Sequence, residues 1–142
     1  AAIIQSGGFH TFAAGCSGSE GVTHLDAGPP RVGTTTTIAM DPLPQDAAVL
    51  LFGFSNVSSR FGPLPLDLTA FDMPGCFAHV SLDVSVLVLG MGGSATFALA
   101  VPGLPALAGT ILHSQAIVFD PAAWWNPVGL VMSDAATLVV GP

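Results

Sequence analysis

Lysine is missing from this chain, and Arg31 and Arg60 are its only strong cations. Against nine acidic residues they leave a formal net charge of −7. That balance argues against nucleic-acid binding, because neutralising phosphates takes clustered Lys and Arg. It disfavours anionic membranes too, and a phosphate loop that depends on lysine is impossible. Charged residues make up only 8% of the 142 positions, about a third of the usual share. Long apolar runs are also lacking. None reaches the ~18 residues of a membrane-spanning helix, and the longest, residues 84–91, stops at Gly92-Gly93. No stretch keeps a helical period with a charged face. No basic region precedes the opening AAIIQSGG, so the chain reads as a mature form whose signal peptide is gone.

What is present is apolar sequence cut into short pieces. Half the residues are hydrophobic (51%), and 17 Gly and 12 Pro punctuate them. Short β-rich runs between turn formers predict an all-β fold in one domain. The plan turns on residues 109–133, GTILHSQAIVFDPAAWWNPVGLVMS. Residues 111–119 read as a central strand, and Asp120-Pro121 ends it because proline lacks a ladder N–H. Trp124 and Trp125 sit in the bend, where at least one indole is expected to cap the core. Residues 47–54, AAVLLFGF, read as a buried central strand. Residues 83–89 and 94–101 read as a hairpin across Gly90–Gly93, with Ala95, Phe97, Leu99 and Val101 on one face. The four consecutive threonines in residues 31–40 read as a strand in which alternate threonines line each face, with hydroxyls outward on one side. The total is nine or ten short strands, best arranged as an antiparallel β-sandwich, Ig-like or jelly-roll-like.

Chemistry is sparse. The nucleophile pattern G-x-S-x-G is absent, and so is a D-x-D-x-D-G calcium loop. Histidines 10, 24, 79 and 113 are scattered. His24 and Asp26 share a strand face at a spacing that can ligate a metal, but two ligands do not make a site. His113 falls on the face of Gln115 and Ile117 and reads as a hydrogen-bonded core residue. The acids stand singly at strand ends and turns, where carboxylates accept backbone N–H bonds. No catalytic residue, metal site or cofactor is assigned, and the chain is read as not an enzyme. Cys16 and Cys76 both lie in Gly-rich turns. They are either a disulfide, expected in an oxidising compartment, or two free thiols. A bond between them stabilises by roughly 4 kcal/mol on the chain-entropy model.

Three segments carry a resemblance: AVLLFGFSN (residues 48–56), LPLDLTAFDMPGC (64–76) and SQAIVFDPAAWWNPVGLVMS (114–133). In order and content they resemble a domain common in secreted proteins of planctomycetes and related bacteria. The family pattern runs from a Gly-Cys, through L-L-G-x-S-N and L-P-L-D-L to P-G-C, then Q-A-x-x-x-D-P and L-G-x-x-x-S. The likeness spans Gly15 to the C-terminus and leaves residues 1–14 outside. It implies a secreted β-sandwich with Cys16 bonded to Cys76. The Trp124-Trp125 pair departs from the pattern by enlarging the bend. The family carries no activity across.

The function expected from these readings is structural. Low charge in a small apolar domain leaves more apolar surface than one copy hides. The apolar segment 1–14 precedes the domain of residues 15–142, with a Gly7-Gly8 hinge inside it. Ile3, Ile4, Phe9 and Phe12 are expected to add as a strand to the next copy, giving an extracellular filament, sheath or matrix. The alternative is a carbohydrate-binding or adhesion module in which Trp124 and Trp125 stack on a surface glycan and Asn126 and Asp120 supply polar contacts. The expected partners are therefore copies of the same chain or glycans.

Overall fold

The computed structural model describes residues 7–142. Nine strands of three or more residues build it: β1 (Gly8–Ala13), β2 (His24–Ala27), β3 (Thr35–Asp41), β4 (Ala47–Gly53), β9 (Val84–Leu89), β10 (Ala95–Ala100), β11 (Ile111–Phe119), β12 (Leu130–Met132) and β13 (Ala135–Val139). Four two-residue strands, β5 (Ser58–Ser59), β6 (Gly62–Pro63), β7 (Leu66–Asp67) and β8 (Phe77–Ala78), lie in the long connection between β4 and β9. The large sheet has the order β1-β13-β11-β4-β9, with β12 also on β11, and a small sheet has the order β10-β3-β2. All pairings within these sheets are antiparallel. The expected all-β antiparallel fold is what forms.

Strand alternation explains the two cores. On β11, Leu112, Ala116 and Val118 point toward the small sheet. They meet Leu50 and Phe52 of β4, Ile38 and Met40 of β3, and Ala95, Phe97 and Leu99 of β10. The odd-numbered side chains point the other way. Leu51, Ile117 and Met132 meet Leu68, Met73, Ala78 and Val80 of the β4–β9 connection, which forms a third, partial layer. β4 and β11 are thus covered on both faces over part of their length, which accounts for the nearly continuous apolar run of β4.

Cys16 and Cys76 are bonded, with 2.00 Å between the sulfurs, and lie 60 positions apart in sequence. The bond fastens the segment before β2 to the turn before β8. Cys16 also enters the sheet register: its N–H donates to the Met132 carbonyl at 3.0 Å. That approach leaves no room for a side chain at Gly15, where a Cβ would lie 2.3 Å from the Met132 oxygen.

The expected hairpin does not form. β9 pairs with β4 and β10 pairs with β3, so the chain changes sheets at the turn. The turn itself is tight, with Met91 and Ser94 exchanging backbone hydrogen bonds. Asp46, on the β3–β4 connection, divides the arms just outside it. The Asp46 carbonyl accepts the Gly90 N–H at 2.8 Å, and its carboxylate accepts the Gly93 N–H at 2.7 Å. With those donors taken by a third segment, each arm continues into a different sheet.

Candidate functional site: an open sheet edge and an apolar pocket

The tryptophan bend differs from expectation. Trp124 is 81% exposed and Trp125 39%, with their rings edge to face. The corner of the core is filled instead by Ala123 and Asn126, both buried. Two smaller side chains fit where the tight turn brings the backbone too close for an indole. The Trp125 indole N–H donates to the Ser17 carbonyl at 3.2 Å, which lays that ring over the first cysteine's turn.

The polar groups assigned to a glycan have other work. Asp120 is fully buried, and its two carboxylate oxygens accept the Ser19 N–H and the Ser19 hydroxyl, each at 2.7 Å. Asn126 donates to the Leu130 carbonyl at 2.9 Å and to the Cys76 sulfur at 3.3 Å. Neither can reach a ligand stacked on Trp124. Only the two rings of that set remain accessible.

Phe9 and Phe12 are not free to enter a neighbour either. They belong to β1, which pairs with β13 in its own chain. Phe9 packs into the core between the sheets and Phe12 into the core on the far face. Two residues three apart on a strand face opposite ways, which is why each serves a different core. Ile3 and Ile4 lie outside the described residues.

The other titratable groups serve structure. His113 is buried, with Nδ1 2.9 Å from the Thr137 hydroxyl, and its ring meets Phe12 edge to face at 5.8 Å. Burial, with a smaller push from His10, holds its pKa below the ordinary value; burial alone does the same for His79. His24 turns its Nδ1 to the Asp134 carboxylate at 2.5 Å, so its partner is not Asp26. No group of three or more His, Cys, Asp or Glu with metal-binding geometry occurs among the described residues. Asp67 and Asp83 carry carboxyls held low by hydrogen bonds, from the Thr69 hydroxyl and N–H in one and from the Phe54 N–H and Ser81 hydroxyl in the other.

Sequence reasoning missed two surfaces. The first is the edge of β9. This strand ends the large sheet, runs six residues in unbroken register with β4, and carries no charge, proline or bulge. Leu87 is 58% exposed and Leu89 70%. Edge strands are ordinarily protected by charged residues, proline or bulges, and this one has none of the three. The strand's alternation was legible, but its place at the edge follows from a non-local pairing. The second is a pocket of about 400 Å³ between the far face of the large sheet and the β4–β9 connection. Its floor is Leu51, Ile117 and Met132, and its rim includes Phe61, Phe71 and Val128.

No family model, curated protein or solved structure matches the chain. Function has to be read from its own geometry.

Proposed function

We propose that this is a secreted, non-catalytic structural protein that works by assembling with copies of itself. The observation that carries the reading is the unguarded apolar edge of β9. A second strand laid against it gains main-chain hydrogen bonds for affinity, and the side chains of Leu87 and Leu89 for register. Each of those leucines contributes about 2 kcal/mol when fully covered. The low charge of the chain supports the reading, since little electrostatic repulsion opposes close approach. An internal disulfide is compatible with an extracellular setting, and no helix among the described residues is long and apolar enough to cross a membrane.

The contact surface differs from the one the sequence suggested. Phe9 and Phe12 stay in their own sheet, so the receiving edge is β9. The partner strand is supplied by another copy, either through its own β9 or through the segment that bears Ile3 and Ile4. A β9–β9 contact closes into a dimer, whereas the second arrangement is head-to-tail and propagates.

The test is Leu87→Lys, examined by sedimentation velocity and electron microscopy beside the native chain. Native protein is expected to form dimers or fibres. The variant is expected to remain monomeric with an unchanged circular dichroism spectrum. Native protein that stays monomeric at high concentration sinks the reading.

A second reading, recognition of a glycan surface, rests on the exposed Trp124 ring. It requires sugar stacking without help from Asp120 or Asn126. Quenching or shift of tryptophan emission on adding glycans tests it directly.

A further inference from the structure

The pocket on the far face of the large sheet is separate from the β9 edge and has its own chemistry. Every side chain that lines it is apolar except Asp72. At the ~30 Å³ that a small group occupies in a liquid, its volume takes roughly a dozen heavy atoms. It falls within the usual size range of small-molecule sites, which are apolar with a few placed polar groups.

Asp72 is that polar group. It has a left-handed backbone, φ 61°, which ends the 3-10 turn Thr69–Phe71. Its N–H is used in that turn, donating to the Thr69 carbonyl at 3.1 Å. Its carboxylate accepts no hydrogen bond among the described residues. The neighbouring Phe71 ring also lines the pocket and is 57% exposed. A free carboxylate beside an open aromatic face is a pairing suited to an organic cation, which gains from both.

The nearest cation does not cancel this preference. Arg60 lines an adjoining trough rather than the pocket. Its guanidinium donates to the Leu82 carbonyl at 2.8 Å and lies 5.9 Å from the Phe61 ring centroid. It is also the smallest of the influences that hold the Asp83 carboxyl low, behind the Phe54 and Ser81 hydrogen bonds. A fatty carboxylate entering the pocket would meet Asp72 and the −7 charge of the chain.

We infer that the pocket binds a small cationic amphiphile, an apolar body of about a dozen heavy atoms carrying an amine or quaternary ammonium group, with the cation between Asp72 and Phe71. This stands apart from the assembly reading, because it uses neither β9 nor contact between copies.

The experiment is isothermal titration calorimetry with decyltrimethylammonium, kept well below its micelle-forming concentration, against sodium decanoate. The native chain is expected to bind one equivalent of the cation saturably, and the anion about tenfold more weakly or worse. Asp72→Asn should remove most of that preference while keeping the fold, because Asn tolerates the left-handed backbone. Val128→Trp, which fills the mouth, should weaken both probes. Glu20→Gln, an exposed acid away from the pocket, should change neither. Non-saturable binding overturns the inference. So does equal affinity for the two probes, a preference that survives Asp72→Asn, or an equal response to Glu20→Gln, which would mark general surface attraction.

Discussion

The Gln115 side chain accepts the backbone N–H of His79 at 2.9 Å, joining the centre of the large sheet to the layer that crosses it. The amide nitrogen of the same residue donates to the Phe77 and Ser133 carbonyls, both at 3.1 Å. One fully buried side chain therefore satisfies backbone groups from β8 and from the bend between β12 and β13. Gln115→Leu keeps the approximate volume and strands all three. A buried polar group left without a partner costs about 1–3 kcal/mol. The expected loss is about 3 kcal/mol in urea unfolding, with the pocket opening because β8 is no longer held. A loss below 1 kcal/mol would mean that water replaces the amide.

The disulfide is expected to matter more than its loop closure alone implies. Asn126 donates to Cys76 sulfur, so the bond sits where the first segment, the β4–β9 connection and the tryptophan bend meet. Cys16→Ala with Cys76→Ala should cost about 4 kcal/mol for the loop and about 1 kcal/mol more for the Asn126 hydrogen bond lost with the sulfur. The loss should be accompanied by faster hydrogen exchange at both residues 15–19 and 122–129. Exchange confined to the first of these would show that the bend holds without the bond.

The motif residues that carried the resemblance turn out to be scaffold. Gln115 pins the third layer. Asp120 caps the Ser19 turn, and Ser133 fills the break between β12 and β13 by taking the Ala116 N–H on its hydroxyl at 2.7 Å. Sequence reading located β4, β11 and the face of β10 because alternation of apolar residues is a local property. It could not assign β9 and β10 to different sheets, because the groups that split them belong to Asp46, far away in the chain. It placed a tryptophan in the core on size alone, whereas the space at that corner is set by how closely the turn approaches β11. The pocket was hidden for the same reason: its floor and its walls come from segments that meet only in space.

Stability should fall in two separate steps on acidification. His79 and His113 have pKa values below the ordinary 6.5 because burial disfavours their charged forms. Below 6.5 the unfolded chain binds protons that the folded chain refuses, so stability rises with pH through this window. It is complete above about 6.5 and declines as pH drops toward the folded-state values. His10, on β1 and across β13 from His113, adds to the lowering of the His113 pKa. Asp67 and Asp83 act later. Their folded pKa values lie below 3.8, so their contribution is present above that value and lost as pH falls further. Urea midpoints measured from pH 7.5 to 3 should show a first decline beginning near 6.5. His113→Leu should shrink that first decline and leave the second unchanged.

Two residues four positions apart in the bend should respond very differently to truncation. Asp120→Ala removes the acceptors for both the Ser19 N–H and hydroxyl, and leaves a void beside Gly18, whose position is close enough that a Cβ there would touch the carboxylate. The expected cost is about 2 kcal/mol. Trp124→Ala removes the largest exposed ring in the chain, yet an exposed side chain making no hydrogen bond should change stability by no more than about 0.5 kcal/mol. If Trp124→Ala leaves the unfolding midpoint in place while abolishing adhesion to a glycan surface, the ring serves recognition. If it leaves adhesion intact but changes the assembled state, the bend belongs to the contact between copies, and β9 is not its whole extent.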